Sequence, residues 1–425
     1  MKRTWKKIVL AGSFCLAVVA AQATDGYFGV GYGTINKGLA GAGVAYYQGS
    51  LINGNPAGAV WLGKKYQLGI ELFNPNRQFT VTGTPTGDPY FGLMPGTVKS
   101  ESKVFFMPTL GANWMLGEKS ALSVSIFGNG GMNTDYPTAV FYDSESESTG
   151  VNLAQLFADV TYSLKIAENH SVGVTGVLAY QYFEAKGLKT FGDYGFSSDP
   201  ANLTNNGNSG STGVGVKVGY MGQLFDGFTV GAMYQSKVYM SEFDEYAGLF
   251  AEQGDFDIPA SWTAGFAWDV TDAFTVMADV KQIFYSGVKS IANPMMPNIG
   301  MAMMGDAGYL LGADNGPGFG WKDVTVVKLG VSCSAVEKWT FRAGYSIGEN
   351  PVPESEVMFN ILAPGVITNQ LGFGLTRDMG EKGSQLHFAL NYALNNDVTG
   401  SNPMDPGQTI KLEMNQLEIE FGISF

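Results

Sequence analysis

The sequence predicts an all-β fold, a fourteen-stranded antiparallel transmembrane β-barrel with an N-terminal hatch, or plug, inside its lumen. Three observations support this prediction. The last nine residues, LEIEFGISF, alternate apolar and polar side chains up to the aromatic Phe425, as a strand with one apolar and one polar face does. Short and long connections alternate along the chain, and a segment rich in small residues precedes the first strand. A last strand that must close on the first strand suits a barrel without free edges.

Residues 1–23 have the pattern of a secretory signal peptide. A basic start is followed by an apolar run over 8–21, and the AQA motif at 21–23 supplies a cleavage site. The apolar run is shorter than the ~20 residues that a spanning helix needs, which favours cleavage over a membrane anchor. Cleavage would remove Cys15 and leave Cys333 alone, so no internal disulfide is expected.

The charge balance argues against several classes of partner. The formal net charge is −13. The predicted signal segment has basic but no acidic residues, so the net charge of the mature chain is still more negative. A surface of this sign argues against nucleic acid and against anionic lipid bound through a basic patch. No later stretch approaches ~18 consecutive apolar residues, so no transmembrane helix is expected.

Residues 64–425 are predicted to form the barrel. The expected short turns are 117–120, 167–170, 224–227, 271–274, 336–339 and 379–383, and the expected long loops are 84–97, 132–151, 189–209, 244–254, 289–321, 349–364 and 398–409. Short turns on one side and long loops on the other, around an even number of strands, are typical of bacterial outer-membrane barrels. The apolar strand faces should meet lipid. The polar faces, including Glu418 and Glu420, should line the lumen or contact the hatch.

Residues 24–63 lack strand alternation and are predicted to form the hatch. Their sequence GVGYGTINKGLAGAGVA favours close packing inside the barrel over a mobile periplasmic tail. A fourteen-stranded barrel has room for a plug, because the side chains of ~8 strands already fill a barrel interior. Asn55, Pro56 and Ala57 are expected to set the hatch geometry, because proline fixes one backbone angle and asparagine can bond nearby backbone.

Several stretches resemble the FadL-type family of outer-membrane transporters for long-chain fatty acids and hydrophobic compounds. GYGTINKGLAGAGVA at 31–45, followed by NPA at 55–57, resembles the plug of that family. Further similar segments are WKD at 321–323, WTFRAGY at 339–345, GYS at 344–346 and NPVP at 350–353. The resemblance spans the mature chain. It implies a hatched barrel in the bacterial outer membrane, expected to be a monomer, that passes hydrophobic molecules without energy input.

The resemblance also implies a route with extracellular capture, passage past the hatch, and lateral exit through a gap at a kink in the third barrel strand. The candidate kink comprises Phe127, Gly128, Asn129, Gly130 and Gly131. Three glycines in five residues weaken a strand and allow a bulge or inward bend. The alternative is a plain strand end that leads into a loop.

Loop 289–321 is the candidate for substrate capture. Its apolar candidates are Met295, Met296, Met301, Met303, Met304, Leu310 and Leu311. An extracellular loop has no core of its own, so this apolar surface needs a partner, and flexible methionine suits ligands of variable shape. Alternatively, these side chains pack on the barrel mouth, and both roles can hold.

No catalytic site, cofactor or metal is expected. A lipid hydrolase needs a nucleophile beside a base, whereas His170 falls in a predicted periplasmic turn and His387 at the start of a strand just after another such turn. No G-x-S-x-G elbow is present.

The expected partners are a hydrophobic small molecule, outer-membrane lipid with lipopolysaccharide, and the barrel-assembly machinery. Two other functions remain open. One is a plugged, porin-like channel for polar solutes, although porins keep an open lumen with charged constriction residues. The other is a barrel that serves as a surface receptor or adhesin.

Overall fold

The structure is a computed structural model that describes residues 25–46, 54–380 and 383–425. The predicted signal peptide at 1–23 lies outside the described residues, as do residues 47–53 of the predicted hatch. Nowhere in the described ranges is a helix both long enough and apolar enough to cross a membrane.

Strands dominate the described chain and form one antiparallel sheet. They are β1 (Lys65–Thr82), β2 (Gly96–Lys99), β3 (Phe105–Met115), β4 (Ser120–Tyr136), β5 (Thr149–Ala167), β6 (His170–Lys186), β7 (Ser209–Phe225), β8 (Phe228–Gln235), β9 (Tyr239–Met240), β10 (Ser261–Thr271), β11 (Phe274–Ile283), β12 (Val324–Val336), β13 (Trp339–Gly348), β14 (Asn369–Asp378), β15 (Gln385–Asn402) and β16 (Asp405–Ser424). The strands pair in sequence order, except that the short strands β2 and β9 pair only with β1 and β7, so that β1 also pairs with β3 and β8 with β10; β16 pairs with β1.

The sheet closes into a fourteen-stranded barrel. The short strand β2 pairs with β1 beyond the end of β3, and the short strand β9 pairs with β7 beyond the end of β8. Each short strand therefore continues an interrupted barrel strand, so the sixteen strand segments form fourteen barrel strands. β1 and β16 pair from Gln67–Ser424 to Thr82–Thr409, which leaves no free edge at the junction. The predicted barrel is confirmed.

One loop prediction is wrong and another is too long, because strands extend into both segments. The segment 398–409 is not a long loop: β15 runs to Asn402 and β16 starts at Asp405. The NPMDPG sequence looks like a loop, but Asn402 accepts the N–H of Met404 at 3.0 Å and Asp405 accepts that of Gly407 at 3.0 Å, which stabilises a tight turn. The loop predicted at 132–151 is shortened, because β4 extends to Tyr136 and β5 starts at Thr149.

The short helices belong to the hatch and to the loops between strands, not to the barrel wall. The α-helical segments are α1 (Thr34–Lys37), α2 (Lys189–Asp193), α3 (Ala251–Gly254), α4 (Lys289–Ala292) and α5 (Asn298–Met303). The 3-10 segments are Pro56–Trp61, Pro200–Asn202, Asp244–Tyr246, Tyr285–Gly287, Ala307–Tyr309, Glu354–Glu356 and Phe359–Ile361. Residues 25–46 and 54–63, which we call the hatch, hold α1 and the first 3-10 segment.

The two strand faces differ as a membrane barrel requires. Large apolar side chains such as Ile70, Leu178 and Phe421 are exposed on the outer face, where lipid would cover them. Charged side chains such as Asp159 and Lys328 are buried on the inner face. A separate hydrophobic cluster joins the long loops, and its largest buried members include Phe183, Phe243, Tyr246, Phe256, Tyr285 and Trp321.

Candidate functional site

A buried lysine ties the hatch to the barrel wall. Lys37, at the end of α1, places Nζ 2.5 Å from Glu71 Oε1 and 2.6 Å from Glu418 Oε2. Burial lowers the pKa of Lys37, but the carboxylates of Glu418 and Glu71 outweigh burial and raise the pKa above its usual value. Thr34 donates a hydrogen bond to Glu420 at 2.9 Å. The polar face of the last strand therefore contacts the hatch, as its alternation predicts.

A second ion cluster holds the start of the hatch. Asp25 Oδ2 lies 2.7 Å from Lys281 Nζ and 3.0 Å from Lys328 Nζ. Burial raises the pKa of Asp25, but the two ammonium groups more than offset it, and the pKa falls below its usual value. Asp279 accepts the N–H groups of residues 43–44 at 2.7 and 3.0 Å. Inward-facing charges on β11 and β12 thus fix two separate parts of the hatch.

The segment Asn55-Pro56-Ala57 is fixed to the hatch and to the wall together. Asn55 Nδ2 donates to the backbone oxygens of Val44 at 2.7 Å and Tyr220 at 3.2 Å. Its Oδ1 accepts the N–H of Ala57 at 3.1 Å and caps the 3-10 segment that Pro56 begins. One side chain therefore links both halves of the hatch to β7.

The same segment lies directly on the wall. Ser163 and Ser171 donate to the backbone oxygen of Ala57 at 3.1 and 2.8 Å. A Cβ atom at Gly173 would lie 2.3 Å from the carbonyl carbon of Pro56. Only glycine permits such a close approach between two backbones.

Asn55→Ala is expected to loosen the hatch locally without unfolding the barrel. The change removes three hydrogen bonds and leaves buried backbone groups without those partners. An unsatisfied buried group lowers stability by about 1–3 kcal/mol. Hydrogen exchange measured by mass spectrometry should rise over 54–61. Asn206→Ala is the matched control, because Asn206 also makes two bonds to backbone but is exposed. Equal exchange in native protein and Asn55→Ala would refute the expected role.

The barrel wall has a gap between β3 and β4. The ladder between these strands stops at the pair Leu110–Ile126. Among the strands of the described chain, residues 105–109 of β3 pair only with β1, and β4 beyond Ile126 pairs only with β5. We call the opening between 105–109 and 127–133 the wall gap. The wall lacks the ladder hydrogen bonds there that seal it elsewhere.

Hydrogen bonds close the wall again beyond the gap. Glu101 N–H donates to the backbone oxygen of Asp135 at 2.7 Å, and Asp135 N–H donates to Ser100 Oγ at 3.0 Å. Ser100 N–H donates to the backbone oxygen of Arg77 at 2.9 Å. Arg77 Nη1 reaches across to the backbone oxygen of Asn133. The wall gap is therefore a bounded window, not a split along the whole barrel.

The predicted kink segment borders this window. The β4–β5 register shifts between Gly128 and Gly130, so Asn129 forms a β-bulge, which bends a strand locally. Phe127 is buried, and Gly131 is half-buried. The five residues are thus adjacent along one side of the wall gap.

The hatch contacts the bulge directly. Phe28 forms an isolated bridge with Gly130, and Tyr32 Oη donates to the backbone oxygen of Asn129 at 2.9 Å. A Cβ atom at Gly130 would lie 2.3 Å from the backbone oxygen of Tyr27. The bent part of β4 has therefore exchanged its bonds to β3 for bonds to the hatch.

A cavity of about 250 Å³ lies between the hatch and the wall gap. Phe105, Phe106 and Met107 line it from β3, and residues 128–133 line it from β4. Phe106 is 67% exposed on the outer face of the barrel. Because the same side chain lines the cavity, Phe106 lies between the cavity and the outer surface at the wall gap.

The cavity lining is more apolar than polar. Its apolar members include Tyr27, Phe28, Phe73, Met132, Leu153, Trp321 and Ile367, and its polar members are Lys37, Glu71, Arg77, Thr109, Asn129, Asn133, Gln370, Gln416 and Glu418, besides the hydroxyls of the tyrosines. An apolar pocket with a small number of polar groups is the usual form of a small-molecule site. The volume is somewhat below the ~300–1,000 Å³ of typical ligand pockets.

The seven capture candidates of loop 289–321 do not share one surface. Met295 and Leu311 are buried in the loop cluster, and Met296 and Leu310 are half-buried. Met301, Met303 and Met304 are exposed, with Met304 at 83%. Leu311 lines a second, apolar cavity of about 30 Å³ among the loops. None of the seven lines the larger cavity.

Sequence reasoning missed most of the cavity. Phe73 and Arg77 are on β1, and Trp321 comes from a loop far away in sequence. The one available signal was Arg77, an arginine at an inward-facing position of a strand. Which side chains converge depends on the bend of β4 and on the course of the hatch, and neither leaves a local pattern.

Both histidines have structural partners. His170 Nδ1 lies 2.7 Å from Tyr220 Oη, and His387 lies between Thr376 and Ser424 at 2.8 and 2.9 Å. Over the described ranges, no three His, Cys, Asp or Glu side chains converge as a metal site would require.

This architecture matches a known protein family and several solved structures. The model of the outer membrane protein transport protein family (OMPP1/FadL/TodX) matches residues 16–418. A search of curated proteins finds no match. Among solved structures, the Pseudomonas putida toluene transporter TodX superposes with a TM-score of 0.67 at 18% identity, covering 93% of this chain and 98% of that chain.

Two further solved structures share the fold. A Pseudomonas aeruginosa FadL homologue gives a TM-score of 0.66 at 14% identity, with 94% of this chain and 98% of that chain covered. The Ralstonia pickettii toluene transporter TbuX gives 0.59 at 18% identity, with 92% and 98% covered. The resemblance seen in the sequence is confirmed, and the chain belongs to the outer membrane protein transport protein family (OMPP1/FadL/TodX) of the bacterial outer membrane.

Proposed function

We propose that this protein carries hydrophobic small molecules passively across the outer membrane and releases them sideways through the wall gap. The observation that carries the proposal is the cavity that is lined by aromatic and methionine side chains and is bordered at the wall gap by Phe106, which is exposed on the outer face. A solute in that cavity borders both the lumen and the lipid-facing surface. Transfer of a hydrophobic molecule from water into lipid lowers its free energy, so no energy source is needed.

The first part of the proposed route leads through the extracellular loops. The apolar cavity of about 30 Å³ is lined by Phe183, Phe250 and Leu362, among others. The larger cavity is lined by Ala363 and Trp321. The short segment 362–363 therefore borders both cavities, and side-chain movements there would connect them.

The hatch would keep polar solutes out. It is tied to strands on several sides of the barrel, through Lys37 to β1 and β16, through Asp25 to β11 and β12, and through Asn55 to β7. Such anchoring suits a plug that stays in place while the substrate leaves sideways. It disfavours an open porin, whose lumen must admit water and ions.

Of the three solved structures that share this fold, two are toluene transporters and one is a FadL homologue. These relatives are consistent with hydrophobic cargo here. At 14–18% identity they show only the shared barrel. The class of cargo in this chain therefore rests on the lining of its own cavity.

Uptake assays should separate transport from the other two functions. In a Gram-negative host lacking related transporters, the protein is expected to raise uptake of radiolabelled dodecane or dodecanoate severalfold over an unrelated outer-membrane barrel. Proteoliposomes containing the protein should not swell in small sugars. Rapid swelling would support a porin instead. No uptake together with no swelling would support a receptor or adhesin.

A further inference from the structure

Three methionine side chains of loop 289–321 are exposed although other apolar residues of the loop are buried. Met301 and Met303 belong to α5, and Met304 directly follows it. Met303 is 56% exposed and Met304 is 83% exposed, whereas Met295 is buried. Single exposed apolar side chains are common, but adjacent ones mark a binding surface. Packing within the loop therefore does not account for this group of methionines.

Gly300 is the point at which methionine side chains meet. Met304 N–H donates to the backbone oxygen of Gly300 at 3.2 Å, so helical geometry continues to Met304. Residues three and four positions apart share one face of a helix, with Cβ atoms ~5–6 Å apart, so Met303 and Met304 flank the position of Gly300. Within the described chain, a Cβ atom at Gly300 would have one atom within 4 Å, Met296 Cε at 3.7 Å. Met296 thus reaches the same place from the segment before α5.

The missing side chain of Gly300 leaves an open place bordered by three thioethers. We call Met296, Met303, Met304 and the open place over Gly300 the thioether niche. A methionine side chain has three rotatable bonds, and this freedom lets three sulfur atoms converge even though their Cβ atoms are ~5–6 Å apart. The niche is accessible from water, because Met303 and Met304 are exposed.

Negative charge lies beside the thioether niche. Asp306 N–H donates to the backbone oxygen of Met301 at 3.2 Å, and Asp306 is exposed. The whole chain has a formal net charge of −13. A charge balance of this sign raises the local concentration of cations at the surface.

We propose that the thioether niche binds a soft monovalent metal ion, Cu(I) or Ag(I). Thioether sulfur is an uncharged, polarizable donor that selects such ions. Calcium and magnesium ions prefer oxygen ligands, and zinc takes thiolate, imidazole or carboxylate ligands. A filled d shell imposes no geometric preference, so flexible methionine side chains suffice as ligands. This site is separate from the proposed transport route and does not depend on it.

A bound ion would also stiffen this part of the loop. The helix α5 has six residues, and helices of that length are marginal without other contacts. An ion held by Met296 before the helix and by Met303 and Met304 at its end would clamp both ends together. We therefore expect the backbone amides of 298–304 to exchange hydrogen more slowly when Ag⁺ is bound.

Silver binding to variants that lack the sulfur atoms tests the assignment. The full mature chain carries Cys333→Ser, because Cys333 is the free thiol of the described residues and would bind Ag⁺ itself. After equilibrium dialysis in chloride-free buffer, this protein should retain one Ag⁺ per chain, and excess Zn²⁺ should not displace it. Met303→Leu/Met304→Leu should weaken Ag⁺ binding at least about tenfold, because leucine keeps the apolar volume but has no sulfur.

Met94→Leu is the matched control, because Met94 is also an exposed loop methionine but is far from the niche in sequence. It should leave Ag⁺ binding unchanged, whereas Met296→Leu should weaken it. Unchanged affinity in Met303→Leu/Met304→Leu would overturn the proposal, and so would an equal loss in Met94→Leu or displacement of Ag⁺ by Zn²⁺. Absence of any slowing of exchange over 298–304 would show that the ion binds elsewhere. Gel mobility before and after heating confirms that each variant is a folded barrel.

Discussion

Gly128→Phe is expected to reduce uptake of hydrophobic substrates by about tenfold or more, which corresponds to an added barrier of at least ~1.4 kcal/mol. A Cβ atom at Gly128 would meet Met107 Sδ at 3.4 Å and Cγ at 3.9 Å across the wall gap. These are ordinary contact distances, so a Cβ atom can be added without moving either strand, and the ring would displace the flexible side chain of Met107. A phenyl ring pointing toward Met107 would fill the opening. Initial uptake rates of radiolabelled dodecanoate and dodecane measure the effect.

Gly176→Phe is the matched control for this substitution. Gly176 is on β6, paired with Val160 and Val216 in an unbroken part of the wall, and a Cβ atom there would meet nothing. Its uptake should equal that of native protein. Unchanged uptake in a folded Gly128→Phe barrel would remove the wall gap from the route. Gly130 is less suitable, because a Cβ atom there would clash with Tyr27 and displace the hatch as well.

The fold was predictable because a barrel repeats one simple pattern. Alternation in β15 sends Leu386, Phe388 and Tyr392 to the outer face and His387 and Asn391 to the inner face, which agrees with the general expectation that apolar strand faces meet lipid. Short turns between long strands gave the strand count. The prediction of a long loop at 398–409 was wrong because proline, glycine and aspartate mark a turn but do not distinguish a tight hairpin from a long loop.

Only the part of the site that depends on neighbouring residues in the sequence could be predicted. Three glycines around Asn129 predict a weak point in a strand, and the bulge lies there. In contrast, the contact between Arg77 and Asn133 spans 56 residues of sequence. It requires β4 to bend away from β3, and the bend requires the hatch to supply the missing hydrogen bonds. No sequence window contains all three partners.

Lys37→Met is expected to release the hatch and make the barrel leak small polar solutes. The substitution leaves Glu71 and Glu418 buried without their cation, and removal of one partner from a buried ion pair costs about 3–5 kcal/mol. The barrel ladder does not depend on Lys37, so the cost falls on docking of α1 against β1 and β16. Swelling of proteoliposomes in small sugars, near zero for native protein, should become rapid.

Two further variants separate loss of hatch docking from general damage. Lys289→Met removes an exposed lysine whose partner is Glu252 at 2.9 Å, and surface pairs contribute little, so this variant should stay sealed. The triple variant Lys37→Met/Glu71→Gln/Glu418→Gln removes the two carboxylates together with the lysine, so no unpaired charge stays buried. It should leak less than Lys37→Met. If the triple variant leaks as much as the single one, the seal depends on the shape of the lysine, not on charge balance. If Lys37→Met stays sealed, the ion pairs that join Lys37 to the wall do not keep the hatch closed.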